Sequence, residues 1–74
     1  MDNTFYTSVE FFNENDELHG VVTFEEDIEG RDIVIMGVTD YIEQGMSYHE
    51  LDVHKIDLLI EGLQKARAFL TDGN

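Results

Sequence analysis

Seventy-four residues suffice for one domain, and a single core of that size leaves only a narrow margin of net stability. With no cysteine among them, disulfides and thiolate metal sites are excluded. Seventeen acids against four bases give a net charge of −13, which excludes the duplex or anionic-membrane binding that a basic surface serves.

In chain order, residues 4–12 alternate, with Phe5, Thr7, Val9 and Phe11 on one face and Tyr6, Ser8, Glu10 and Phe12 on the other, and this period predicts a first strand. Asn13-Glu14-Asn15-Asp16 is a turn cluster, because Asn and Asp bond to nearby backbone and tolerate left-handed conformations. A second strand is expected over 17–25, with Leu18, Gly20, Val22 and Phe24 opposed to His19, Val21, Thr23 and Glu25. The run from Glu26 to Arg31 joins like charge to a glycine and reads as an exposed loop. Residues 32–39 are apolar and β-branched, with Ile33 and Ile35 facing one way and Val34, Met36 and Val38 the other, so both faces call for cover. A fourth strand over 46–51 follows a turn at Glu43-Gln44-Gly45, and Asp40-Tyr41-Ile42 fits either strand or turn.

From Asp52 the period becomes helical: Val53, Ile56, Leu59, Ile60, Leu63, Ala66 and Leu70 form one apolar stripe over 52–71. Asp52 is a natural N-cap, Asp57 complements the positive end of the macrodipole, Lys65 and Arg67 the negative end, and Asp72-Gly73-Asn74 ends the helix. Gly62, unfavourable by about 1 kcal/mol against alanine, either marks close contact with the sheet or is tolerated. The expected fold is α+β, a three- to four-stranded antiparallel meander in one domain with its C-terminal helix packed across one sheet face. A helix covers one face only. Unless sheet twist scatters them, apolar residues on the reverse, here Tyr6, Phe12, Val34, Met36 and Val38, form a patch that a homodimer covers. No basic, apolar leader and no bilayer-length apolar run is visible, so a soluble, cytoplasmic protein is expected.

Equipment for catalysis is scarce. His49 and His54 are five apart, which turns them about 140° from each other on a helix, and the zinc-protease motif needs four. Asn13, Asn15 and Glu17 have the spacing of a calcium loop, but Leu18 replaces its glycine and Phe24 its terminal acid. Neither Ser8 nor Ser47 sits in a nucleophile elbow. Expected, therefore, are no enzyme, no metal and no cofactor.

Thirteen of the acids lie in the first fifty-one residues with Arg31 as their only base, whereas the remaining residues hold four acids and three bases. At one charge per about 1.7 Å, thirteen net charges correspond to about 22 Å of duplex, while a compact chain of this length has a radius of gyration of about 11 Å. Acids two apart on a strand stand about 6.6 Å apart on one face, so rigid strands can hold them as a phosphate-like row. The candidates are Glu10, Glu14, Asp16, Glu17, Glu25, Glu26, Asp27, Glu29, Asp32, Asp40 and Glu43. In size, charge, lack of cysteine and folded β-plus-helix pattern the chain resembles the small acidic DNA mimics of bacteriophages. That resemblance implies a stoichiometric inhibitor that occupies the DNA site of a basic host protein, such as a restriction enzyme, a CRISPR effector, uracil-DNA glycosylase, RNA polymerase or the nucleoid protein HU. A dimer of this size suits a compact saddle such as that of HU. The alternatives are an acidic interaction or regulatory module, and surface acids that serve salt adaptation.

Overall fold

Strand β1 (Tyr6–Phe12) and strand β2 (Leu18–Glu26) form the first hairpin, β3 (Val34–Asp40) and β4 (Gly45–Leu51) follow, and helix α1 (Val53–Thr71) ends the chain. The structure, a computed structural model, describes residues 5–72. Thr4, the expected start of the first strand, and Gly73 and Asn74, expected after the helix, lie outside the described residues. The four strands pair in chain order as an antiparallel meander, so the fold is α+β as the alternating and helical periods predict.

Two turns of the same design join the hairpins. Asn13 Oδ1 accepts hydrogen bonds from the backbone N–H groups of Asn15 and Glu17, and Asp16 closes the turn at φ 62°. Asp40 Oδ1 likewise accepts from the N–H groups of Ile42 and Glu43, and Gln44 closes that turn at φ 58°. Each begins with a short side chain that substitutes for a backbone acceptor and ends with a left-handed residue. Asn13, a member of the calcium-like spacing, is thereby engaged by its own turn. Gly45 belongs to β4 rather than to the turn, because it pairs with Asp40.

Register sorts the side chains into two faces. Val9, Val22 and Val38 stand abreast, as do Phe24 and Met36, and Val34 stands beside Leu51. On the other face run Tyr6, Glu25, Ile35 and Glu50; then Ser8, Thr23, Gly37 and Tyr48; then Glu10, Val21, Thr39 and Met46. Gly37 is required in its row: a Cβ there would lie 2.7 Å from Thr23 Oγ1 and 3.1 Å from the Tyr48 ring. Past a shift in pairing after Phe11, Phe12 opposes Leu18.

This arrangement corrects the expected dimer patch. Val34, Met36 and Val38 lie on the face that α1 overhangs, since Met36 and Val38 line one groove with Leu59 and Leu63, and Val34 lines another with Ile56 and Leu59. Tyr6 lies on the reverse, so the five residues do not share one surface.

Asp52 caps α1, its Oδ1 accepting from Lys55 N at 2.9 Å. The helix has no acid in its first turn and no base in its last. Asp57, Lys65 and Arg67 therefore sit too far in to complement the macrodipole, whose effect fades within one turn. Apart from its chain neighbours and the backbone of its own helix, no atom lies within 4 Å of where a Cβ of Gly62 would stand, so this glycine does not mark contact with the sheet. The helix starts against the end of β4, and its middle stands over the sheet across an open apolar groove lined by Val9, Phe11, Phe24, Met36, Leu59 and Leu63. Both faces of the 32–39 run were expected to be covered. Val34, Ile35, Met36 and Val38 are instead only half-buried, and Leu51 is the sole buried hydrophobic residue among those described.

Candidate functional site

Because the strands form a meander, both tight turns fall at one end of the sheet, beyond the row Phe11, Gly20, Asp40 and Gly45. The β2–β3 loop falls at the other end. This divides the eleven acidic candidates. Glu10, Glu14, Asp16, Glu17, Asp40 and Glu43 gather at the turn end, and Glu25, Glu26, Asp27, Glu29 and Asp32 at the loop end.

The loop end carries its own counter-charge. Arg31 donates from Nε to Asp27 Oδ2 at 2.9 Å and from Nη2 to Asp27 Oδ1 at 3.0 Å, while its backbone N–H also bonds Asp27 Oδ2 at 3.0 Å. A bidentate fork of this kind fixes orientation as well as charge. The same guanidinium reaches Glu50 at 3.3 Å and Glu29 at 4.0 Å. Asp27 is buried, 8% exposed. The Arg31 side-chain hydrogen bonds, then the bond from its backbone, hold the Asp27 carboxyl below the ordinary value of 3.8, with desolvation opposing. Arg31 is raised in turn, first by its hydrogen bond to Asp27 and then by that carboxylate's charge. Gly30, at φ 79°, lets the loop double back so that the pair can meet. Asp27 is thus a structural anchor, which removes it from the phosphate-like row. Glu26 is also engaged, accepting from Phe5 N at 2.6 Å.

The turn end has no such relief. No lysine or arginine occurs in either turn or in the adjoining strand ends, and among the described residues none of its six acids forms a salt bridge. All six are exposed. Four strands span about 14 Å, so six carboxylates across them give one charge per about 2.4 Å, against about 1.7 Å in a duplex.

Between these acids lies apolar surface that composition alone did not reveal. An open cleft of about 260 Å³ is lined by Phe11, His19, Val22, Val38, Asp40 and Ile42; Ile42 is 68% exposed, and Tyr41, next to it in the turn, is 52% exposed. From the sequence, Asp40-Tyr41-Ile42 fits either strand or turn, and the structure places 41–44 in the turn. The signal at Tyr41 and Ile42 was two large apolar residues in a turn that polar residues would ordinarily fill.

His49 lies on β4 and His54 in the first turn of α1, on opposite sides of the Asp52 cap. Among the described residues no three potential metal ligands cluster, and no helix is long and apolar enough to cross a membrane. No protein-family model matches the chain, nor does a curated protein or a solved structure.

Proposed function

We propose that the protein is a DNA mimic that binds a basic DNA-binding protein, such as the nucleoid-associated protein HU, and blocks its DNA site. The observation that carries this reading is the turn end: six exposed carboxylates on paired hairpins, without a lysine or arginine among them, beside the exposed turn residues Tyr41 and Ile42. Dense fixed charge steers a cationic groove into contact and competes with phosphates for it. Apolar and aromatic groups inside the charged ring then slow dissociation. Bacteriophage DNA mimics act by such stoichiometric occupancy, and this chain fits the same role without binding nucleic acid itself.

Capture from bacterial extract on the immobilised protein tests the proposal. DNA-binding proteins such as HU are expected to elute as salt rises, and free duplex should displace them. Recovery of partners that neither salt nor duplex displaces favours an acidic interaction module instead. A fold that collapses without molar salt favours salt adaptation, because simple screening is already strong at about 0.15 M, where the Debye length is about 8 Å.

A further inference from the structure

We infer that the helix side of the molecule is half of a two-fold interface whose occupant is a second copy of this chain. The first reason is area. The chain exposes 6221 Å², whereas a compact monomer of 8.5 kDa exposes about 4,700 Å². The excess of about 1,500 Å² per chain, part of which is the open groove between α1 and its own sheet, is of the size that one partner contributes to an obligate homodimer, whose interfaces exceed about 2,000 Å² in total. Shape agrees: the radius of gyration is 14.8 Å, against about 11 Å for a compact chain of this length.

The second reason is the pattern on α1. Leu59 and Leu63 face the sheet across the groove. Leu58, Gly62 and Phe69 form another stripe, turned by about 100° from those two and crossed by Lys65, which pairs with Glu61, and much of it faces outward: Leu58 and Phe69 are 53% and 63% exposed, and the space beside Gly62 is open. Closing the helix onto its own sheet would fill the groove and still leave this stripe bare. A symmetry-related helix covers it, with Gly62 allowing the two backbones to approach closely.

Charge selects the same face. Chains that each carry −13 repel, and they meet with least repulsion where acids are fewest. On the helix side of the sheet the strands carry acids only at their ends, Glu26 and Asp40, whereas the reverse holds Glu10, Glu25 and Glu50 along its rows. The segment from Asp52 onward is itself nearly neutral, with four acids and three bases. Docking through α1 leaves the turn ends and both reverse faces open.

Sedimentation equilibrium of the full chain, with thermal melts at several concentrations, tests this. A mass about twice that of the chain is expected, with a melting temperature that rises with concentration. Phe69→Lys, at a largely exposed position of this stripe, is expected to weaken association about 10-fold or more. Tyr48→Lys on the reverse face should leave it unchanged. Should Phe69→Lys fail to fold, the concentration dependence of the wild-type melt still decides. A monomer with a cooperative, concentration-independent melt overturns the inference, and so does a dimer that Tyr48→Lys dissolves and Phe69→Lys does not.

Discussion

The two ends of the sheet carry similar numbers of acids and handle them in opposite ways. At the loop end a single guanidinium binds one buried carboxylate by two side-chain hydrogen bonds and approaches two more, so part of the charge is used to fold the loop. At the turn end the side-chain oxygens used in folding are Asn13 Oδ1 and Asp40 Oδ1, which cap the turns, and Glu17 Oε1, which accepts from Asn13 Nδ2, and the charge faces solvent without a lysine or arginine beside it. A local excess of charge is therefore not one kind of feature. Whether it is structural or outward-facing depends on a nearby base and on burial: at the loop end Arg31, four residues from Asp27, supplies the base, and Glu50 is brought to it by the pairing of β3 with β4.

The sharpest contrast should come from removing charge at each end. Arg31→Ala leaves Asp27 buried without its partner and is expected to lower the melting temperature more than any other single charge removal in the described chain. Neutralising Glu14, Glu17 and Glu43 together with glutamine should do the reverse, raising it by a few degrees at low ionic strength through relief of repulsion, each like pair contributing about 0.2–0.5 kcal/mol. That gain should vanish in about 1 M salt, where the Debye length is about 3 Å. A gain that persists in salt would mean the turn acids are strained rather than repelled.

Acid should separate the ends next. Asp27 has a depressed carboxyl pKa, so the unfolded chain binds the proton more tightly and stability rises with pH across that window. The contribution of this pair is complete above the ordinary value of 3.8 and is lost as pH falls below it towards the folded pKa. Asp27→Asn should abolish this acid-labile component, read by circular dichroism melts between about pH 2 and pH 5. An unchanged acid profile in that variant would show that the loop does not depend on the ion pair.

The smallest effects concern backbone handedness. Gln44 occupies a left-handed position at the turn end, and glycine occupies the equivalent conformation at Gly30 in the loop. Gln44→Gly should stabilise by up to about 1 kcal/mol, and Gly30→Ala should destabilise by about the same amount. In a domain of this size that corresponds to about 4–8 °C in opposite directions. Equal signs would indicate that side-chain contacts, not φ, decide these positions.

Much of the architecture was legible because its signals are local. Alternation along Tyr6–Phe12, the Asn13 turn and the Asp52 cap each depend on neighbours within a few residues, and each forms as its chemistry predicts. The role of Asp27 was not legible, because in the run Glu25-Glu26-Asp27 three carboxylates look alike until one is buried. The available clue was Arg31, the only base in the region, four residues after Asp27 with Gly30 between. The side occupied by Val34, Met36 and Val38 was equally hidden. Their alternation was correct, but which face α1 overhangs depends on where the chain turns after Leu51.

In the proposed function a cationic groove grips the turn end. The most direct measurement of that grip is the affinity for purified HU, at about 0.1 M salt, of two variants that each lose four charges. One carries Glu14→Gln, Asp16→Asn, Glu17→Gln and Glu43→Gln; the other carries Glu25→Gln, Glu26→Gln, Glu29→Gln and Asp32→Asn. At about 0.2–1 kcal/mol for each exposed pair lost, the first should weaken binding about 10- to 100-fold and flatten its salt dependence, and the second less than about 3-fold. Equal losses from both, a larger loss from the second, or a wild-type chain that does not compete with DNA for HU would contradict the account.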